Sequence, residues 1–384
     1  MEKTKKRYRL LFVSHTAGMS GGERSMAEIV SVLAKREDVE LGVVLPSKGK
    51  LETLLPQNVS LFYCETFWWI KNWYPSKYTV RDKFWIFRKN VKTARQIIKE
   101  YSPDIVITNT SVICGFAIAA RIEGVRHCWY IRELVQKTLQ SQFILGNWLT
   151  MKIISCLSDF IYVNSEYLKE ECNRYFKNIF VVRQAIDCNN VQKKYALKEA
   201  INIAVIGHIS SQKGQLEALN AYKILEDQGN NNTSLSFVGW GNENSEYYKN
   251  IKAQIGNRNI RFVQFVDNME TIYAETDIVL VCSLETFGRV SIEAMKHSIP
   301  IIAANVGASC YNIKNGYNGY LYEKNNPEDL ANKIMLLQNP SIRREMGRNG
   351  YKFAMENYND KNMVSDFLCP INSSLNIKID ICSN

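Results

Sequence analysis

Ser283-Leu284-Glu285-Thr286-Phe287-Gly288-Arg289-Val290-Ser291-Ile292-Glu293-Ala294-Met295 is the stretch whose reading decides the fold. Ahead of it runs Ile278-Val279-Leu280-Val281, a short continuous apolar run of the kind a parallel strand buried on both faces requires. Gly288 opens a turn, and from Arg289 to His297 the residues take helical spacing. Pro300 to Ala303 then begins another strand. Strand, loop, helix and strand in succession imply a parallel sheet, whose ligands bind at the carboxyl ends of its strands. Behind Phe287, the amides of Gly288, Arg289 and Val290 are helix-start donors with no intrahelical acceptor, a ready site for a phosphate. Glu285 stands in the loop, either free to accept hydroxyl hydrogens or simply an exposed acid. Glu293 lies just over one turn inside the helix. It is placed to take both hydroxyls of a ribose or, more plainly, to stabilise the helix dipole.

Outward from this stretch the same grammar repeats. In the second half, Ile203 to Ile206 and Leu235 to Val238 read as strands, with helices at Gln215 to Glu226 and Glu246 to Ile255. In the first half, Arg9 to Val13, Leu41 to Leu45, Ile105 to Thr108, His127 to Ile131 and Phe160 to Val163 are β-type runs. Helical segments such as Arg24 to Lys35 and Asn90 to Tyr101 lie among them. A polar, Lys-rich stretch near 189–200 separates the halves. The expected architecture is therefore α/β, with two Rossmann-like, doubly wound parallel-sheet domains facing each other across a cleft. The domains are expected over 1–190 and 201–350, with a C-terminal helix and tail over 351–384.

Two further loops follow strands and precede helices. Gly207-His208-Ile209-Ser210-Ser211-Gln212-Lys213-Gly214 places a lysine at a helix start, where the dipole disfavours a cation, so a bound phosphate is the reading that accounts for it. His208 is either a second donor to that phosphate or a plain loop histidine. Gly18-Met19-Ser20-Gly21-Gly22-Glu23-Arg24 is a glycine-rich turn that lets the backbone approach an anion, or a tight turn with no ligand.

The 384 residues are 46% hydrophobic and 22% charged, enough for two domains with substantial cores and against wholesale disorder. No apolar run is long enough to span a bilayer, and Tyr8 to Val13 reads as a first strand and not as a signal peptide, so a cytoplasmic location is expected. Ten cysteines without a C-x-x-C pair and four histidines without ligand spacing suggest free thiols and no protein-bound metal. The net charge is +10, and four of the seven tryptophans lie interleaved with Lys and Arg over 67–89. Basic residues beside Trp and Phe suit the surface of an anionic membrane, the inner face of the plasma membrane for a cytoplasmic protein. An aromatic loop packed on its own domain is the competing reading. Nucleic acid is set aside, because no nucleic-acid-binding fold accompanies the segment.

Glu285 and Glu293 with seven residues between them, followed by Ala294-Met295 and Ile299-Pro300-Ile301-Ile302-Ala303, resemble the family 4 glycosyltransferases of GT-B fold. The resemblance extends over nearly the whole chain, through Gly21-Gly22-Glu23-Arg24, the Gly207 to Gly214 loop, Val238-Gly239-Trp240-Gly241, Phe265-Val266, Asn315-Gly316-Tyr317-Asn318-Gly319 and Pro327-Glu328-Asp329-Leu330. It implies a retaining transfer of sugar from a nucleotide-diphosphate donor to a glycan or polyprenyl-linked acceptor, in building a cell-surface polysaccharide, without metal or cofactor. By the same resemblance Glu293 binds the ribose, Lys213 the diphosphate and Glu285 the transferred sugar. Gly21 and Gly22 close over the phosphates, and Val266 lies near the base. Two positions depart from the family pattern. His208 stands where an arginine is usual, and Arg132 in Trp129-Tyr130-Ile131-Arg132-Glu133 lies near the place of a common histidine, where it can stabilise departing charge. These departures leave open a degenerate nucleotide-sugar-binding partner subunit as the alternative. The tail from Cys369 does not read as the family's closing helix.

Overall fold

A computed structural model of the chain describes residues 7–71, 73–137, 141–186, 200–264, 269–376 and 379. It divides into two compact units, Met1–Ala185 with Asp360–Asn384, and Ile186–Asn359. The stretch near 189–200 expected to link the domains lies almost wholly outside the described residues.

The first unit carries strands β1 (Tyr8–Val13), β2 (Val39–Leu45), β3 (Ser60–Tyr63), β4 (Ile105–Thr108), β5 (Arg126–Ile131), β6 (Phe160–Val163) and β7 (Ile179–Val181). Among them run helices α1 (Gly21–Leu33), α2 (Val80–Tyr101), α3 (Gly115–Glu123), α4 (Asn147–Cys156) and α5 (Glu166–Cys172). The sheet is parallel throughout, in the order β3-β2-β1-β4-β5-β6-β7. Strand order reverses between β1 and β4, and that switch point opens a crevice at the carboxyl ends of the strands. Central strands such as β1 and β4 are buried on both faces, which is why they read as unbroken apolar runs.

The second unit repeats the plan. Its strands β8 (Ile201–Ile206), β9 (Thr233–Val238), β10 (Ile260–Val263), β11 (Ile278–Val281), β12 (Ile301–Ala304) and β13 (Gly319–Tyr322) form a parallel sheet in the order β10-β9-β8-β11-β12-β13. Its helices are α6 (Gln215–Asp227), α7 (Glu246–Ile255), α8 (Glu270–Glu275), α9 (Arg289–Lys296), α10 (Ser309–Asn312), α11 (Pro327–Leu336) and α12 (Pro340–Asn357). Its switch point falls between β8 and β11. Both units are thus doubly wound α/β sheets, as the alternating pattern implies.

Two sequence expectations are corrected. Helix α2 begins at Val80 and not near Asn90, started by a reciprocal cap in which the Thr79 hydroxyl accepts from the Asp82 amide while Asp82 accepts from the Thr79 amide. Only from Asn90 onward does one face bury residues; Val80, Phe84 and Trp85 on the first turns are exposed. The segment 369–375, read as non-helical, belongs to a last helix, α13 (Asp360–Leu375), which returns to the first unit and carries Pro370 inside it. A proline there removes a backbone donor. Tertiary packing offsets that loss: Phe367 is fully buried, and its ring stacks on Phe12 at 5.6 Å and on Tyr162 at 5.0 Å. Asp366 also binds the Arg183 guanidinium, at 2.8 and 2.9 Å.

Candidate functional site

In the second unit, three loops meet at the carboxyl ends of β8, β9 and β11. Gly214 ends the first loop with φ +70°, and a Cβ there would lie 2.4 Å from the Cys282 carbonyl oxygen, so only glycine lets the two loops touch. That approach brings Lys213 to Glu285, with Nζ 2.5 Å from Oε1. The Ser283 hydroxyl donates to the same oxygen at 2.6 Å. Both charged side chains stay accessible, at 32% for Lys213 and 22% for Glu285. The Glu285 backbone is held from behind, its carbonyl accepting from the Ala308 amide at 2.8 Å.

Gly288, at φ +80°, sets the start of α9, which among the described residues has no side-chain cap, the kind of helix start that receives an anion. The Asn312 amide fixes this turn by donating to the Phe287 carbonyl at 2.7 Å, and Tyr358 donates in turn to Asn312. Phe287 itself is buried, so the backbone following its ring faces the site and the ring does not. One turn on, Glu293 accepts from Arg289 Nε at 2.7 Å and from the Tyr273 hydroxyl at 2.7 Å. Tyr273 is in turn stacked on His297, with ring centroids 4.7 Å apart. Burial holds the His297 imidazole below its usual range despite the nearby Glu270 and Glu293 carboxylates. His208 does not join Lys213: its ring leans on Trp240 at 4.9 Å, and its carbonyl accepts from the Gln215 amide. Val266 lies outside the described residues.

In the first unit, a cavity of about 900 Å³ opens beyond β1 and β4, lined among others by His15, Gly22, Trp68, Asn109, Arg132 and Glu133. Gly21 and Gly22 are not a free turn, since they form the first residues of α1. Gly22 still meets Arg132, because a Cβ on Gly22 would lie 3.6 Å from Arg132 Cδ. Arg132 is buried, donates from Nε to Asn109 at 2.8 Å, and lies 3.7 Å over the Tyr130 ring. Burial pulls its pKa down from the usual guanidinium value. The Glu133 carboxylate accepts from the Thr110 hydroxyl and from the Ser111 amide and hydroxyl, each at 2.8 Å.

Several residues here carry no signal that sequence reasoning could use. Tyr273 reaches Glu293 from twenty residues away. Glu23 is fully buried and accepts from the hydroxyls of Thr16 and Ser20, with His15 Nε2 at 3.6 Å. The basic-aromatic segment is corrected in part: Trp68 and Trp69 are only 8% and 5% exposed and pack in the core, where Trp69 Nε1 donates to the Ser111 carbonyl.

Two doubly wound parallel sheets, one with an accessible Lys–Glu pair and an open helix start at its switch point, define a protein of the GT-B class. The model described as Glycosyltransferase Family 4 matches residues 19–190, and that described as Glycosyl transferases group 1 matches residues 189–353. The chain belongs to this glycosyltransferase family. A capsular polysaccharide biosynthesis glycosyltransferase, CapM of Staphylococcus aureus, is 30% identical over 44% of this chain and 45% of its own length. The uncharacterized glycosyltransferase MJ1069 of Methanocaldococcus jannaschii is 24% identical over 93% of this chain and 95% of its own. For most of the curated relatives it matches, the chain spans about half their length. In fold, it superposes on Anabaena HepE, solved with UDP and glucose, with a TM-score of 0.73 at 19% identity, over 96% of this chain and 100% of that one.

Proposed function

We propose that the chain is a retaining glycosyltransferase. It moves a sugar from a nucleotide-diphosphate donor held by the second unit to a glycan or polyprenyl-linked acceptor held by the first, in cell-surface polysaccharide synthesis. The observation that carries this reading is the Lys213–Glu285 pair beside the uncapped start of α9. It sets a cation for a leaving diphosphate, helix amides for its oxygens and a carboxylate for sugar hydroxyls within one switch point. Glu293, one turn deeper, is the ribose ligand. Arg132, buried and charged in the first unit, stabilises developing negative charge, and attack on the same face as departure retains the anomer without an enzymic base. The capsule and poly(ribitol-phosphate) transferases among the relatives support the polymer class, and HepE's UDP makes uracil the first base to test.

A place at the inner face of the plasma membrane is part of this reading. Val80, Phe84 and Trp85 are exposed on the first turns of α2, with Arg88 over both rings at 5.8 and 5.7 Å. Among the described residues no helix is long and apolar enough to cross a membrane.

The test is thermal unfolding of the purified chain with UDP, GDP, ADP and their sugars, without added metal. A ligand at about a hundred times its Kd should add ~2.7 kcal/mol. Selective protection by one nucleotide, followed by turnover of its sugar by the chain alone, is the expected result. Protection without turnover would favour a degenerate partner subunit, the reading that His208 paired to Trp240 and not to Lys213 leaves standing. No protection by any nucleotide would sink both.

A further inference from the structure

We infer that the cavity of the first unit is a carbohydrate subsite in which a pyranose ring of the acceptor stacks on the Trp73–Trp68 pair while one of its hydroxyls donates to His15 Nδ1. This rests on the transferase reading above and goes further by naming the ring-binding groups.

The platform comes first. Trp68 is anchored in the core, and its amide donates to the Tyr74 hydroxyl at 3.0 Å. Trp73 lies flat against it, ring centroids 3.6 Å apart and planes 4° from parallel, yet stays 48% exposed. A large apolar ring held rigid and left half in water is a surface for a flat apolar partner. A pyranose offers such a partner in its C–H face, with hydroxyls around its edge. The cavity matches that edge too: Thr110, Glu133, Ser141 and Gln142 line it with hydroxyl, carboxylate and amide groups.

His15 supplies the directional contact. It lines the cavity, its ring 5.1 Å from Trp68, and its Nδ1 is buried with no hydrogen-bond partner among the described residues. Its other nitrogen faces Glu23 at 3.6 Å. Burial pushes the Glu23 carboxyl up, but the hydrogen bonds from the Ser20 and Thr16 hydroxyls lead the causes that hold the group below the usual carboxylate range. An ionised Glu23 puts the imidazole hydrogen on Nε2, which leaves the Nδ1 lone pair as an acceptor. Burial also keeps the imidazole itself neutral by lowering its pKa. A buried acceptor left unpaired is unfavourable, and a sugar hydroxyl relieves it.

Saturation-transfer NMR on the full chain, with and without UDP, tests the subsite with the methyl glycosides of glucose, galactose and N-acetylglucosamine as probes. At least one glycoside should receive saturation, strongest on its ring C–H protons. Trp73→Ala should weaken its binding by about tenfold and His15→Ala by about fivefold. Trp73→Phe should restore most of the loss, and UDP affinity should be unchanged in all three variants. If UDP binds and no glycoside does, or Trp73→Ala binds the glycoside like the parent, the subsite is wrong and the donor reading stands. Competition between uridine and the glycoside, lost in Trp73→Ala, would overturn it in favour of a nucleobase pocket. If neither nucleotide nor glycoside binds, the transferase reading itself has failed.

Discussion

Lys213 and Glu285 lie seventy-two residues apart in the chain, yet Nζ and Oε1 are 2.5 Å apart at the mouth of the second sheet. Without a donor the two charges satisfy each other. A diphosphate arriving at Lys213 must compete with that carboxylate. Lys213→Ala should therefore weaken UDP binding by roughly 10- to 100-fold, as loss of a charge-assisted contact. Glu285→Gln should bind UDP as tightly as the parent or more so, while transfer falls by about 100-fold or more. Calorimetry and turnover on the two variants check this. Weaker UDP binding in Glu285→Gln would contradict the assignment of Glu285 to the sugar.

Glu293 is oriented by Arg289 on one oxygen and Tyr273 on the other. If it grips ribose hydroxyls, the parent should prefer UDP over 2′-deoxy-UDP by about tenfold, and Glu293→Ala should bring that ratio close to one. Tyr273→Phe should fall between. An undiminished preference in Glu293→Ala would place the ribose elsewhere.

Phe367 joins the last helix to the first sheet through stacking on Phe12 and Tyr162. Phe367→Ala should destabilise the chain by ~3–5 kcal/mol in urea unfolding, the loss expected for a fully buried phenylalanine. A loss below ~1 kcal/mol would mean that α13 contributes little to this core.

The exposed start of α2 separates from the buried tryptophans in a vesicle assay. Phe84→Ser with Trp85→Ser should reduce co-sedimentation with anionic phosphatidylglycerol vesicles, and added salt should reduce it further. Trp68→Ser should instead lower the melting temperature, because that indole is core. Unchanged vesicle binding in the double variant would remove α2 from the membrane reading.

The sequence by itself determined the parallel α/β order and the loops that end at each switch point. Buried parallel strands, glycine turns and helix starts leave marks within a dozen residues, and those marks placed Lys213, Glu285 and Arg132 in the segments that follow strands and Glu293 inside the helix behind them, where the structure has them. Contacts between distant segments leave no such mark. Tertiary structure alone decided that Trp68 and Trp69 are core while Phe84 and Trp85 are surface, since both pairs read as aromatic among basic residues. It alone drew Tyr273 to Glu293, and carried a proline-containing helix back onto the first sheet, where the Tyr162 hydroxyl meets the Phe367 carbonyl from 205 residues away. Local spacing fixes which face of an element a residue occupies; what lies against that face is settled only when the chain closes on itself.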